Sequence, residues 1–190
     1  MTYLTVAVIG VAVLGLVNLW LTIAMARVLR HHREQLARRG SQPRPMIGLP
    51  PGTQVPEFTV TTVTGATVSA EDLRGQRSLI GFFSPGCAPC HEQVPAFAAF
   101  AQTWLGQAPR PLAVICGGGH GLAHGQDADA DDLARQLADV ADVVREPSAG
   151  AMAAALAVAG FPSFILLDAG GRVEAGAHAV AGIAAIAAPV

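Results

Sequence analysis

The chain contains no lysine: its 12 basic side chains are all arginine, and against 14 acidic ones they leave a formal net charge of −2. Arg27, Arg30, Arg33, Arg38 and Arg39 crowd into one stretch with His31 and His32. No basic face extends over the remainder, which excludes the broad cationic surface that nucleic acid requires. Internal repeats are absent too, so a stacked-repeat architecture is excluded. A third absence says most about the N-terminus. No charged residue occurs from Thr2 to Ala26, where Leu, Val, Ile and Ala dominate. A helix of that length, at about 1.5 Å per residue, reaches roughly 35 Å and crosses a hydrocarbon core of about 30 Å with some tilt.

Basic residues are also missing ahead of this apolar run. Ala24-Met25-Ala26 has the small residues of a signal-peptide cleavage site, but without a basic start, and with a run this long, the pattern fits an uncleaved anchor better. We expect a transmembrane anchor over residues 1–27, in contact with membrane lipid, with Trp20 at the interface. The arginines that follow read as a solvated flank or as contacts to anionic headgroups. Such a flank prefers the cytoplasm, which would place the domain after it inside the cell.

Residues 28–51 read as a juxtamembrane helix followed by a linker, since Gly40-Ser41-Gln42-Pro43-Arg44-Pro45 and Pro50-Pro51-Gly52 interrupt any regular element. A globular domain is expected over 52–190. In it Phe58–Val63 alternates as a strand, Gly65 supplies a turn before Thr67-Val68, and Ser69 with Asp72 forms a helix-start signature that Gly75 ends. An apolar strand is predicted over Ser78–Ser84. After it come a helix from Cys87 to about Leu105 with Pro95 inside it, a strand at Pro111–Ile115, a helix near Asp131–Asp142, and a short strand at Val143-Val144. An Ala-rich helix over Ser148–Val158, a strand over Ser163–Leu167, a turn at Asp168–Gly171, the segment Arg172–Glu174 and a closing helix at Ala181–Ala188 complete the pattern. Strands alternating with helices, then a hairpin, imply a mixed sheet covered on both faces.

The chemistry is concentrated in Cys87-Ala88-Pro89-Cys90. Two thiols one turn apart at a helix N-terminus can close a disulfide, and the free amides and dipole there favour a thiolate. Cys87, at the exposed end, is the expected attacker. Cys90, a turn inward, resolves the mixed disulfide by attacking Cys87. Pro89 restrains the loop and the helix start. The local reading of Phe161-Pro162, between Gly160 and a strand, is only a proline at a strand entrance.

From about Gly52 onward the chain resembles the thioredoxin superfamily, and more narrowly its membrane-anchored TlpA-like group, including the MauD-type accessory proteins. The matching residues are Val55–Phe58, Phe82–Pro95, Gly160–Phe164 and Asp168–Gly171. The resemblance implies a thioredoxin-like fold and thiol-disulfide exchange with protein dithiols or disulfides through Cys87 and Cys90. It also implies a redox partner, no organic cofactor, and an extracytoplasmic domain, against the arginine flank. It further implies a cis peptide before Pro162 beside the dithiol, with the backbone of Phe161 receiving bound peptide. Two positions depart from the pattern. Gly86 replaces a tryptophan, and Gly81 stands where many thioredoxins bury an acid, so that His91 and Glu92 read either as solvated first-turn residues, the commoner case, or as substitute bases.

Three other readings stay open. Ser84-Pro85-Gly86-Cys87 resembles the Thr-Pro-Gly-Cys of some peroxiredoxins, a thiol peroxidase pattern, although position 80 is Ile rather than the proline that completes it. Cys87, Cys90, Cys116 and one of His120 or His124 would make a Cys3His zinc set, but no second paired-ligand motif accompanies them. Cys116 otherwise reads as a small apolar residue at a strand end. A non-catalytic binding module on the same fold is the third.

Overall fold

The computed structural model describes residues 47–104, 109–117 and 126–187, together with Gly15 and Trp20, both helical. The expected anchor over 1–27 and the juxtamembrane helix lie outside the described residues, apart from those two positions. Among the described residues, no helix is long and apolar enough to cross a membrane.

Among the described residues from 47 to 187, seven strands and four helices follow in the order β1 (Thr59–Thr61), β2 (Thr67–Ser69), β3 (Ser78–Phe83), α1 (Ala88–Gln102), β4 (Leu112–Cys116), α2 (Gln126–Leu137), β5 (Asp142–Glu146), α3 (Ala151–Ala155), β6 (Ser163–Leu167), β7 (Val173–Ala177) and α4 (Val180–Ala187). Five strands form one sheet in the order β5-β4-β3-β6-β7. The first three of these run parallel, and β6 and β7 join antiparallel. The result is a thioredoxin-like α/β fold, a mixed central sheet flanked by helices.

Every residue of β3, β4 and β6 is buried, which is why these strands read as continuous apolar runs rather than alternating ones. The side chains still alternate in direction. Leu79, Phe83, Ala113, Ile115, Phe164 and Leu166 belong to the core formed with Val94 and Phe97 of α1, Leu133 and Leu137 of α2, and Ile183 of α4. Ile80, Phe82, Leu112, Val114, Cys116 and Ile165 face the opposite core, shared with Val60 of β1 and with Met152 and Ala153 of α3. The β1–β2 hairpin turns at Gly65, whose φ of +88° a side chain would resist. It docks on the edge strand β5, with Val63 N–H donating to Val143 C=O at 2.8 Å.

Most expected elements occur within a residue or two of the prediction. The Ser69–Asp72 pair forms, with the Ser69 amide and hydroxyl both donating to the Asp72 carboxylate, at 2.8 and 2.7 Å, but it closes a turn at the end of β2 and starts no helix. Helix α1 runs through Pro95, which sits on its exposed side. Two helices differ. Helix α2 begins five residues before the expected Asp131 and ends at Leu137, because Ala130, Leu133 and Leu137 are the positions that reach the core. Asp127 and Asp129 occupy its first turn, where carboxylates suit the helix dipole. The alanine run forms only the short α3. Ala157 takes a left-handed φ of +53° just past that helix, so tertiary context ends it where propensity alone would continue.

Candidate active site

Helix α1 starts at a sulfur. Cys87 is its N-cap, with extended backbone at φ −93° and ψ 99°. The Cys90 amide donates to Cys87 C=O at 2.9 Å and lies 3.3 Å from Cys87 Sγ, so the sulfur occupies the place of a capping oxygen. Pro89 lies in the first turn, where a missing N–H costs nothing. That turn contains no carboxylate to oppose a thiolate. Cys87 and Cys90 are joined as a disulfide with Cα atoms 5.2 Å apart. Cys87 is half-buried and Cys90 is fully buried, an asymmetry that gives the two sulfurs different access to a partner.

The Phe161–Pro162 peptide is cis. It lies beside the dithiol, with Phe161 C=O 3.8 Å from Cys87 Sγ. Phe161 remains partly exposed and packs against both cores, whereas Pro162 is buried. His178, at the end of β7, places Nδ1 2.6 Å from Pro162 C=O. A carbonyl only accepts, so Nδ1 carries the proton in this contact. Nothing local in the sequence marks His178, because its partner lies 16 residues away, just before β6.

Gly86 adopts φ +72°, which favours glycine. Its N–H donates to the Asp129 carboxylate of α2. His91, the residue after Cys90, sets Nε2 3.1 Å from the same carboxylate. Together Gly86, Ala88, His91, Gln126 and Asp129 line a cleft of about 410 Å³ next to the dithiol. Glu92 is exposed. Sequence reasoning finds His91 but not Asp129, which stands 43 residues from the glycine it binds.

Gly81 explains why no acid stands beneath the dithiol. A Cβ there would lie 2.8 Å from the Phe97 ring and 3.0 Å from the Phe83 ring. Phe83, Phe97 and Phe164 fill that space as a cluster, with ring centroids 5.3 to 5.8 Å apart. The position has been given to aromatic packing, and a carboxylate does not fit.

Cys116 belongs to the core on the opposite face of the sheet from Cys87 and Cys90. Its thiol lies 3.8 Å from the Glu146 carboxylate. That carboxylate also accepts from the amides of Met152 and Ala153, at 3.0 and 2.8 Å. Burial first, then the Glu146 charge and hydrogen bond, push the Cys116 thiol up to about 12. The three cysteines therefore do not converge on one ligand set, and His120 and His124 lie outside the described residues.

Residues 51–175 match the AhpC/TSA family. The chain belongs to that family. The chain is 34% identical over 50 residues to the thioredoxin-like protein YneN of Bacillus subtilis, a stretch covering 26% of this chain and 29% of YneN. The chain thus spans under a third of that relative's length. Among solved structures, the thioredoxin domain of a thiol-disulfide oxidoreductase from Bacteroides vulgatus superposes with a TM-score of 0.51 at 19% identity, over 67% of this chain and 88% of that one. A secreted disulfide oxidoreductase of Mycobacterium tuberculosis, homologous to E. coli DsbE, superposes with a TM-score of 0.50 at 17% identity, over 64% and 82%. At these identities the likeness is one of fold, and this AhpC/TSA chain shares with both the thioredoxin-like frame.

Proposed function

We propose that the protein is a thiol-disulfide oxidoreductase that exchanges disulfides with protein thiols through Cys87 and Cys90. The observation that carries this is the pairing of a half-buried sulfur, capping a helix N-terminus, with a fully buried one a turn inward. As a reductase, the Cys87 thiolate attacks one sulfur of a substrate disulfide, forming a mixed disulfide and releasing the first substrate thiolate. Cys90, as thiolate, then attacks Cys87 Sγ, expels the second substrate thiolate and closes the internal disulfide. Two electrons pass from the dithiol to the substrate, and a redox partner restores them. Read backwards, the same steps oxidise a substrate dithiol. Phe161, whose carbonyl flanks Cys87, offers backbone hydrogen bonds to the bound segment, and Pro162 fixes that carbonyl's place.

Cys90→Ser tests the order of attack. This variant is expected to accumulate a mixed disulfide with an oxidised peptide substrate at Cys87, whereas Cys87→Ser accumulates none. Trapping at Cys90 instead would overturn the assignment.

We further propose that residues 1–27 tether this domain to a membrane, on its extracytoplasmic side, where disulfides persist. The uncharged stretch Thr2–Ala26 supports the tether, and the TlpA-like and MauD-like resemblance supports the side. Labelling of the thiols from outside intact, reductant-treated cells supports this placement. Labelling only after permeabilisation would place the domain inside.

A thiol peroxidase is the second reading, favoured by Ser84-Pro85-Gly86-Cys87 leading into α1. Ile80, at the position where a proline completes that pattern, is buried within β3. Hydrogen peroxide consumption by the reduced protein separates the two readings.

A further inference from the structure

Asp129 touches both ends of the dithiol motif. Its carboxylate accepts the N–H of Gly86, immediately before Cys87, and pairs with the imidazole of His91, immediately after Cys90. Neither partner is otherwise needed for a helix start, which Cys87 already caps. We propose that Asp129 is a positioning residue that holds the Cys87–Cys90 loop by both flanks and, together with His91, sets the charge beside the Cys87 sulfur. The inference rests on the exchange reading and deepens it.

The physical argument has two parts. Hydrogen bonding fixes the loop: with its amide held by α2, Gly86 keeps its left-handed backbone, and the chain enters Cys87 from one direction. Charge sets the poise, because whatever stabilises the Cys87 thiolate stabilises the reduced form and makes the couple more oxidising. An anionic Asp129 opposes that thiolate, and a protonated His91 offsets it. The other charged groups on the packed elements are Glu92 of α1, Asp127, Asp131, Asp132 and Arg135 of α2, and Asp142, Arg145 and Glu146 of β5. Arg145 pairs with Asp131 at 2.5 Å and Arg135 with Asp132 at 3.0 Å, so both cations are engaged along α2. The side chains of His91 and Asp129 are 36% and 26% exposed, so solvent screening keeps the effect modest.

Two substitutions in the full chain separate charge from shape. Asp129→Asn retains an oxygen for the Gly86 N–H and loses the negative charge. Its dithiol-disulfide equilibrium against glutathione is expected to move toward the reduced form by about fivefold, which corresponds to about 20 mV for a two-electron couple. The Cys87 thiolate should titrate at lower pH. His91→Gln retains a donor for Asp129 but never carries a positive charge, so its equilibrium moves the opposite way. Opposite shifts with near-native melting temperatures are the expected signature. Both variants staying within twofold of the native chain, or both moving in the same direction, would overturn the proposal. If Asp129→Asn does not fold, His91→Gln alone decides, and a potential and a Cys87 titration unchanged at every pH sink the idea. The native chain serves as the control: if it does not cycle at all, the exchange reading fails, whereas native cycling with silent variants removes only this inference.

Discussion

The two faces of the central sheet each hold cysteine sulfur, and they treat it in opposite ways. On the face covered by α1, Cys87 caps a helix, is partly open to solvent, and has a partner sulfur one turn away. On the other face Cys116 ends β4 in a sealed core, against a carboxylate, with its thiol pushed up to about 12. Residue type is the same in both places. Helix amides and exposure favour a thiolate at one site, while burial and a neighbouring negative charge disfavour it at the other.

The largest expected effect breaks the first half of this contrast. Cys87→Ser should reduce exchange with a model disulfide to the background of buffer thiols, whereas Cys116→Ala should leave the exchange rate within twofold of native, both read by a turbidity or fluorescent-disulfide assay. If Cys116→Ala were the inactive one, the contrast would be reversed.

Next in size is the aromatic floor that occupies the space of an acid. Phe97→Ala removes a fully buried ring that contacts Phe83 and Phe164, and should cost about 3 to 5 kcal/mol in a denaturant titration. Gly81→Asp should destabilise as well, since its Cβ alone meets Phe97 at 2.8 Å and the carboxylate would be buried without a partner. A Gly81→Asp protein of native stability would show that the floor yields more easily than the ring contacts imply.

A smaller effect comes from alkaline pH. The folded Cys116 thiol titrates near 12, above its ordinary value of 9.0. Folding therefore keeps a proton that the unfolded chain releases, and stability is fully present below pH 9.0 and falls as pH rises toward 12. The slope is up to about 1.4 kcal/mol per pH unit. Unfolding free energies measured across that window should fall less steeply for Cys116→Ala than for the native chain, and equal slopes would contradict the assignment.

The smallest effect concerns the carboxylate beside that thiol. Glu146→Gln weakens the bonds from the Met152 and Ala153 amides and should cost about 1 kcal/mol. It should also bring the Cys116 titration down, because the Glu146 charge is one cause of its elevation. Thiol alkylation rates at high pH check this.

How much of this is legible in the sequence depends on the range of the interaction. Strand β6 can be read to the residue, since Ser163–Leu167 is a short apolar run between a proline and a turn. The dithiol is equally plain, because its two sulfurs and its helix share four consecutive residues. The cis peptide at Phe161–Pro162 is legible only through family resemblance. Contacts such as Gly86 with Asp129, or Pro162 with His178, join residues 43 and 16 positions apart and leave no local pattern. The alanine run misleads for the same reason. Its propensity is helical throughout, but Glu146 caps it late and Ala157 ends it early, so only Ala151–Ala155 winds into a helix.

The most direct test of reversible exchange at one sulfur pair is a redox titration of the purified chain in glutathione buffers, quenched with an alkylating agent and mapped by mass spectrometry. A single two-electron transition, with label entering Cys87 and Cys90 together and Cys116 unlabelled in the folded state, is the predicted result. A chain whose Cys87–Cys90 segment takes up no label at any buffer ratio, or whose Cys116 titrates in their place, would contradict it.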